Sequence, residues 1–414
     1  MRVLMLSWEY PPVVVGGLGR HVHALARHVA ALGHDVVVLC RHEAGTDADT
    51  HPTADATHDG VRVIRVAEDP CHLVFAEDLV AWTLAMGHAM IRAGLRLLGD
   101  WHPDVVHAHD WLVTHPAIAL ADQARVPLVA TLHATEAGRH SGWLSQPLNH
   151  QVHSAEWWLA NRADALITCS AAMRAETAHL FDIDPTTVTV IHNGIEPRSW
   201  RVPTTSVRET RAAYGDGPLL MFFGRLEWEK GVHDLIAALP KVRRSHPGTR
   251  LVIAGRGSQA TALADLARKT RVRRAVEFVG HLTDQQLIAT LSAADAVVLP
   301  SRYEPFGIVA LEAAAVGVPL IASTAGGLGE VVIDGETGLS FTPGDVAAIA
   351  TAIRQVLNDP TSARKRARTA KTRLTNVFDW AKIAKETTTI YRTATIKPHP
   401  PLGRPKIPTG NAFA

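Results

Sequence analysis

Cysteine is scarce in this 414-residue chain, which contains only Cys40, Cys71 and Cys169. The number is odd, the spacing is wide, and two of the three follow directly after apolar runs. Disulfide frameworks and zinc sites use cysteines in closer, paired patterns. The cysteines therefore predict buried thiols in a reducing compartment, and we expect a cytoplasmic protein.

The chain also lacks a long apolar run and a strong net charge. Its start, MRVLMLSWEYPP, turns polar at Glu9, so it predicts a β-strand rather than a signal peptide. No run approaches the roughly 18 apolar residues of a membrane span. The 42 basic and 40 acidic side chains nearly cancel, which argues against nucleic acid as the main partner. Walker loops, Gly-x-Ser-x-Gly elbows and zinc-protease motifs are missing, so we set aside P-loop enzymes and serine hydrolases.

Short apolar runs alternate with helical patterns along the first half of the chain. Continuous runs of Val, Ile and Leu without polar alternation predict parallel strands that are covered on both faces. After RVLMLSW, the predicted strands are HDVVVLC, GVRVIRV, PDVVHAH, VPLVATLH, ADALITCS and TVTVIHNGI. The first half is therefore predicted to be a doubly wound α/β domain.

A second α/β series begins at GPLLMFFG and continues through TRLVIAG, AVEFVG, ADAVVLP and VPLIAS. Between the two series, residues 196–217 are rich in Pro, Arg, Ser and Thr, and we predict a linker there. The domain boundaries are predicted at 1–198 and 199–378, with a flexible tail at 397–414. An apolar stripe at Trp380, Ile383, Ile390 and Tyr391 predicts a helix over 379–396 that crosses back to the first domain.

Two loops follow strands and precede helices, a place where backbone and side chains can meet a phosphate. PPVVVGGLGRH contains Gly16 and Gly17 but only part of the dinucleotide fingerprint, so a simple tight turn is the alternative. In GRLEWEKG, Arg225 and Lys230 could both face a diphosphate. The alternative is a solvated loop in which they pair with the neighbouring glutamates 227 and 229.

The segment EPFGIVALE places Glu304 before a predicted helix and Glu312 two turns inside it. Strand ends at His107, His109 and His133 are further candidates, because the carboxyl ends of parallel strands in α/β sheets meet ligands. His107 could equally be structural. We expect no metal site, because the His-x-His pair has only Asp110 as a nearby carboxylate.

Two further features have ordinary explanations. Asp47 and Asp49 match the Asp-x-Asp motif of metal-dependent sugar transferases, but they lie in a polar loop and we interpret the match as coincidence. Residues 361–374 form a basic helical stretch without an acid, which is typical of a solvated helix face. A contact with a polyanion, or a weak peripheral contact with a membrane, is the alternative.

Taken together, these segments resemble the retaining family-4 glycosyltransferases of the GT-B fold, a group related to bacterial glycogen synthases. The resemblance runs from SWEYPPVVVGGLGRH through HAHDW, TLHATEAGRHSG, HNGI and GRLEWEKG to EPFGIVALEAAAVGVPLIAS, with the Glu-x7-Glu pair as its most specific part. The N-terminal half is most similar to the actinobacterial α-glucosyltransferases of glycogen-like and methylglucose polysaccharide elongation. Glycogen synthases carry a lysine before the Gly-Gly turn, where this chain has Val15, so an identical ADP-sugar site is not expected.

The resemblance implies two Rossmann-like domains that face a central cleft, and a retaining transfer of glucose from UDP- or ADP-glucose to an α-1,4-glucan. It implies a catalytic set of His133, Arg225, Lys230 and Glu304. The implied donor-binding residues are Gly16, Gly17, Asn193, Arg225, Lys230, Glu304, Phe306, Gly307, Ile308 and Glu312. Glu9 and Asp110 would face the acceptor. No cofactor beyond the nucleotide sugar is implied.

The motifs leave other functions open. A nucleotide-sugar epimerase can share the two-domain architecture, and a family-4 transferase can act on a small-molecule or lipid acceptor. A non-catalytic glycan-binding protein would have no use for the set Arg225, Lys230, Glu304 and Glu312. A phosphorylase would need a lysine that binds pyridoxal phosphate, and no segment resembles that motif.

Overall fold

The computed structural model describes residues 1–14, 16–42, 53–67, 72–75 and 77–396. Val15, Cys71, the Asp47 and Asp49 pair and the predicted tail at 397–414 lie outside these described residues. The chain divides into two units, each with its own parallel sheet. Unit 1 runs from Met1 to Asn193 and resumes at Trp380, and unit 2 runs from Gly194 to Asp379.

Unit 1 is built on an eight-stranded sheet with the order β3-β4-β2-β1-β5-β6-β7-β8. Its strands are β1 (Arg2–Ser7), β2 (Asp35–Arg41), β3 (Ala54–His58), β4 (Val61–Val66), β5 (Val105–His109), β6 (Leu128–Leu132), β7 (Ala165–Thr168) and β8 (Val188–Val190). The seven apolar strands are parallel, as the sequence predicts. The polar edge strand β3 pairs antiparallel with β4 and was not predicted.

Helices cover both faces of this sheet. They are α1 (Gly17–Ala31), α2 (Leu79–Asp100), α3 (Thr114–Ala124), α4 (Glu136–Arg139), α5 (Pro147–Arg162) and α6 (Ala171–Phe181). Helix α1 buries Val22, Leu25, Ala26 and Val29 at helical spacing against β1 and β2. This packing fixes the start of α1 beside the carboxyl end of β1.

The chain returns to unit 1 after unit 2, as the sequence predicts. Residues Trp380–Thr393 form the last helix, which packs against α1. Trp380, Ile383 and Tyr391 are buried there, and Ile390 is partly buried. Burying such a stripe contributes several kcal/mol, at about 25 cal/mol per Å² of apolar area.

Unit 2 has a six-stranded parallel sheet with the order β11-β10-β9-β12-β13-β14. Its strands are β9 (Leu219–Phe223), β10 (Arg250–Ala254), β11 (Val276–Gly280), β12 (Ala296–Leu299), β13 (Leu320–Ser323) and β14 (Leu339–Phe341). Its helices are α7 (Thr204–Tyr214), α8 (Val232–Ser245), α9 (Ala260–Lys269), α10 (Asp284–Ala293), α11 (Ile308–Val316), α12 (Leu328–Val331), α13 (Val346–Asn358) and α14 (Pro360–Val377). The last helix of the chain, in unit 1, is therefore α15.

The linker predicted over residues 196–217 is wrong for its second half. Helix α7 fills that part and packs against α10 in unit 2. Its residues Val207 and Tyr214 are partly buried against Leu219, Val252 and Ala293. No residue of α7 is fully buried, which is why the sequence shows no clear apolar period there.

The basic stretch predicted at 361–374 lies in α14, an 18-residue helix. Its buried face consists of Ala363, Ala367, Ala370 and Leu374, while Arg364, Lys365 and Arg368 are exposed. Among the described residues, no helix combines the length and the apolar character that a bilayer crossing requires.

Candidate functional site

The turn between β9 and α8 carries the predicted cations of unit 2. Gly231 follows Lys230 with a φ of 65°, and a Cβ at this position would lie 1.9 Å from the carbonyl oxygen of Pro300. Glycine is therefore required both for the backbone conformation and for the close approach to the chain that leaves β12. This approach brings Lys230 next to Glu304, 74 residues further along the chain.

Lys230 and Glu304 form a largely buried ion pair. The Nζ of Lys230 donates to Oε2 of Glu304 at 2.8 Å, and the hydroxyl of Ser301 donates to the same oxygen at 3.2 Å. The two charged side chains are 16% and 10% exposed. Since each charge is compensated, the lysine stays positioned without bound ligand.

The other charges of this turn are paired within the turn or with a neighbouring loop. Arg225 donates to Glu229 at 3.0 Å, which is one of the two pairings expected for a plain solvated loop. Glu227 accepts hydrogen bonds from the backbone and hydroxyl of Ser258 instead. Lys230 departs from that alternative, because its partner is Glu304 rather than a neighbouring glutamate.

Helix α11 begins directly after a compact turn that contains Glu304. Gly307 has a φ of 98°, and a Cβ there would lie 2.6 Å from Cδ2 of Leu328. Phe306 is buried and packs edge-on against Phe378. Ile308 opens the helix and Glu312 is buried inside it, so the predicted residues Glu304 to Glu312 lie on one turn-to-helix element.

A second ion pair, partly buried, was not predicted from the sequence. Arg302 donates to both carboxylate oxygens of Asp234, at 2.8 and 3.0 Å, and its guanidinium lies 5.1 Å from the ring centroid of Trp228. These bonds join the first turn of α8 to the segment after β12. The acid in the first turn of a predicted helix was a weak signal for such a link.

In unit 1, Glu9 lies against the Gly-rich turn. Its Oε2 accepts the backbone N–H of Gly16 at 3.1 Å, and a Cβ at Gly19 would lie 3.2 Å from the same carboxylate. Gly17 is the first residue of α1. The turn is thus held by a buried acid that follows β1 by two residues, and the amide of Gly16 is engaged within the protein.

Three histidines come together beyond the ends of β5 and β6. His109 ends β5 and His133 follows β6, and Nδ1 of the first lies 3.3 Å from Nε2 of the second. His21 of α1 completes the group, with its ring centroid 4.6 Å from that of His133. The side chain of Asn193 lies beside His21. We call His21, His109 and His133 the histidine cluster.

His21 was missed in the sequence, where only strand-end histidines were singled out. A signal was present, because His21 precedes the buried Leu25 by four residues and so lies on the buried face of α1. His107, by contrast, is structural: its two ring nitrogens bond to the hydroxyls of Thr131, at 2.8 Å, and Tyr391, at 2.7 Å.

Asp110 has an unusual backbone and positions His133. Its φ of 63° and ψ of 174° fall in a region that L-residues other than glycine rarely adopt, which indicates local strain. Its carboxylate accepts the backbone N–H of His133 at 2.7 Å. Burial raises the pKa of Asp110 to about 6, although N–H donors from His133 and Ala134 oppose the shift.

The histidine cluster is uncharged at neutral pH. Burial is the main cause that lowers the pKa of His133, His21 and His109 below the ordinary value, and their mutual proximity lowers the pKa of His21 and His109 further. Neutral imidazoles can donate hydrogen bonds to sugar hydroxyls without a charge to desolvate. Chemically, unit 1 therefore offers neutral donors and acceptors, and unit 2 offers positioned cations.

Both halves of the chain match models of known protein families. Residues 15–199 match the model for Glycosyltransferase Family 4, and residues 204–373 match the model for Glycosyl transferases group 1. The chain is 59% identical over 403 residues to the glycogen synthase of Mycobacterium tuberculosis, with 95% of each chain covered. It is 32% identical to the alpha-maltose-1-phosphate synthase of Mycolicibacterium smegmatis, covering 95% of this chain and 99% of that one.

Solved structures agree with the fold. Sucrose-phosphate synthase from Thermosynechococcus elongatus superposes with a TM-score of 0.80 at 25% identity, covering 94% of this chain and 98% of that one. The catalytic domain of starch synthase IV from Arabidopsis thaliana, bound to ADP and acarbose, gives a TM-score of 0.72 at 20% identity, covering 95% and 99%. The second comparison supports the fold alone.

Proposed function

Because this chain belongs to the family-4 glycosyltransferases of the GT-B fold, we propose that it transfers glucose, with retention, from UDP- or ADP-glucose to an α-1,4-glucan. The observation that carries the proposal is the 59% identity to a glycogen synthase over nearly the whole chain. The buried pair of Lys230 and Glu304, built from the two most characteristic motifs, gives it a chemical basis.

The residues of unit 2 bind the donor in this proposal. Lys230 and Arg225 contact the diphosphate, and each exchanges part of its present carboxylate pairing for phosphate oxygens. Glu304 contacts hydroxyls of the sugar, and Glu312 holds the ribose. The backbone amides of Phe306, Gly307 and Ile308 at the start of α11 attract the anion, as helix N-termini do.

The residues of unit 1 act on the sugar and the acceptor. His133 donates a hydrogen bond to the transferred sugar beside the anomeric carbon, and Asn193 contacts the same sugar. Gly16 and Gly17 face the diphosphate, for which Gly16 must release Glu9. Glu9 and Asp110 lie on the acceptor side, and Asp110 also positions His133 through its backbone.

The chemistry follows from where charge develops. Breaking the bond between the anomeric carbon and the diphosphate oxygen places negative charge on that oxygen and oxocarbenium character on the sugar. Cations and amides that contact the bound diphosphate stabilise that charge by several kcal/mol per good donor. The acceptor hydroxyl then bonds to the anomeric carbon on the face that the diphosphate leaves, and its proton passes to the diphosphate oxygen.

A donor and acceptor panel tests this function. UDP-, ADP- and GDP-glucose are each incubated with maltooligosaccharides or with glucose 1-phosphate, and the released nucleoside diphosphate and the glycan product are measured. We expect an elongated α-1,4-glucan without added divalent cation. Product on glucose 1-phosphate alone would favour a small-molecule acceptor, which the 32% identity to the maltose-1-phosphate synthase also supports.

Two results would overturn the proposal. Turnover of the nucleotide sugar without any acceptor, yielding an isomeric nucleotide sugar, would indicate an epimerase. Activity that a chelator abolishes and manganese restores would show that the reaction depends on a metal ion, contrary to the cation-based mechanism.

A further inference from the structure

The histidine cluster has the composition and spacing of a transition-metal site. One ring nitrogen from each of His21, His109 and His133 lies within 4.8 Å of the corresponding atoms of the other two. His21 and His109 are buried, and His133 is half-buried. The three side chains come from α1, the end of β5 and the residue after β6, so well-packed elements hold them in place.

One edge of the cluster already has the separation that a metal ion would impose. Two nitrogens bound to one tetrahedral zinc ion lie roughly 3.4 Å apart, given zinc–nitrogen bonds of about 2.0–2.1 Å. Nδ1 of His109 and Nε2 of His133 are 3.3 Å apart. The nitrogen of His21 lies within 4.8 Å of the other two, so a shift of this ring toward them closes the triangle.

Buried polar atoms at this place lack partners. Within the described part of the chain, Nδ1 of His21, Nε2 of His109 and Oδ1 of Asn193 have no hydrogen-bond partner. Buried polar atoms without partners are rare in folded proteins and call for an explanation. Imidazole nitrogens are among the commonest protein ligands of Zn²⁺.

We propose that His21, His109 and His133 bind one zinc ion, and that the bound ion inhibits the transferase because it occupies the ring nitrogen with which His133 contacts the donor sugar. The inhibitory part rests on the proposed function, whereas the metal site itself does not. Three imidazoles leave a fourth position for water, as in open zinc sites. Mg²⁺ and Ca²⁺ prefer oxygen ligands and should not bind here.

A hydrogen bond between His109 and His133 is the competing explanation for their short separation. It accounts for one pair of atoms, but it gives no partner to Nδ1 of His21, which a shared metal ion would. The two explanations differ in what happens when zinc is added, so a binding measurement separates them.

The binding arm uses the metal-free full-length protein and zinc competed against a chromophoric chelator. We expect one zinc ion per chain, and at least about tenfold weaker binding in His21→Phe and in His109→Phe, since each loses one ligand. Phenylalanine keeps a ring of similar size at both positions. His88→Ala removes an exposed histidine of α2 and should leave the binding unchanged. Equal zinc affinity in all four proteins would overturn the site.

A spectroscopic arm needs no variant. Co²⁺ in place of zinc should give the intense visible absorption of a four-coordinate site, and magnesium should not displace it. The weak spectrum of six-coordinate cobalt would overturn the proposal even if both phenylalanine variants failed to fold. Resistance of unit 1 to limited proteolysis, compared with the wild type, checks that the variants are folded.

The activity arm separates the two parts of the proposal. Zinc at one equivalent should inhibit the wild type, and the chelator should restore its rate. In His21→Phe, the zinc concentration that halves the rate, measured against the same variant without zinc, should be at least about tenfold higher than in the wild type. Zinc bound without inhibition would overturn the blocking of His133. A protein that binds zinc but transfers no glucose with any donor would overturn the proposed function and leave the metal site intact.

Discussion

The candidate site residues of the two units differ in their state of charge. In unit 2, two ion pairs hold charges that are buried or partly buried, Lys230 with Glu304 and Arg302 with Asp234. In unit 1, they are neutral histidines whose pKa burial lowers, next to a carboxyl group, Asp110, whose pKa burial raises. Desolvation acts in both units. In unit 2, ion pairs offset the cost of removing charges from water, whereas in unit 1 burial shifts the pKa of the side chains instead.

This difference matches two different chemical tasks. A lysine that keeps its charge inside the protein needs a nearby carboxylate, because desolvating an unpaired ammonium costs several kcal/mol. Such a lysine can stabilise a diphosphate as charge develops on it. Uncharged imidazoles cost less to bury, and they suit a sugar whose hydroxyls carry no charge. We therefore expect nucleotide affinity to depend on unit 2 and turnover to depend on both units.

The strongest test of this division is His133→Ala. Removing a preorganised donor beside the reacting centre typically lowers kcat on the order of 100-fold or more. Binding of the free nucleoside diphosphate should stay near normal, because His133 contacts only the sugar in our proposal. Calorimetric titration and rates at saturating donor measure the two effects, with His88→Ala as the exposed control. Normal turnover would remove His133 from the active site, and an equal loss of nucleotide affinity would mean that its role is misassigned.

Lys230→Ala should act on both measurements. A charge-assisted contact is worth roughly 1.5–3 kcal/mol, so kcat/KM should fall at least about tenfold and the nucleoside diphosphate should bind more weakly. Part of the loss comes from Glu304, which is left buried without its lysine. Adding Glu304→Gln in a double-mutant cycle measures that part. Lys241→Ala on the exposed face of α8 is the control, and unchanged nucleotide affinity in Lys230→Ala would contradict the diphosphate role.

Removal of α15 should weaken unit 1 and leave unit 2 nearly unaffected. A chain ending at Phe378 loses the buried Trp380, Ile383 and Tyr391, and we expect several kcal/mol less stability in unit 1 at about 25 cal/mol per Å². Denaturant unfolding followed by proteolysis of each unit measures the effect. Full stability and activity in the shortened chain would show that α15 contributes little to the fold.

The smallest expected effect is on stability, and it concerns Glu156, a buried carboxylate of unit 1. Burial raises the pKa of Glu156 well above its ordinary value of about 4.5. The folded state therefore binds the proton more tightly than the unfolded state, and stability is lost as pH rises above that value. Glu156→Gln keeps an acceptor for the N–H of Glu136 and should add roughly 1–3 kcal/mol at pH 7.

The pH dependence provides the control for that variant. The difference in unfolding free energy between Glu156→Gln and the wild type should shrink as pH falls toward 4.5, because the wild-type side chain is then protonated as well. A difference of the same size at pH 5 and pH 7 would mean that packing, rather than ionisation, sets the effect.

Local sequence patterns determined most of the secondary structure. Continuous apolar runs predicted the parallel strands of unit 1, and the stripe at residues 380–391 predicted α15 and its return to that unit. The patterns missed the three-residue strand β14, which is too short to show a pattern, and they failed where an element buries little of itself. Strand β3 is polar and α7 has no fully buried residue, so neither shows a periodic pattern of apolar residues in the sequence.

The motifs likewise identified the segments of the candidate site but not the partners within it. Strand and turn signals are local, so they were enough to place Lys230 and Glu304 in loops after parallel strands. The contact between these two side chains, and the contacts of His21 with His109 and His133, could not be predicted from any one segment. These contacts join residues 24 to 112 positions apart, and they arise from the strand order and from the packing of α1 on the sheet.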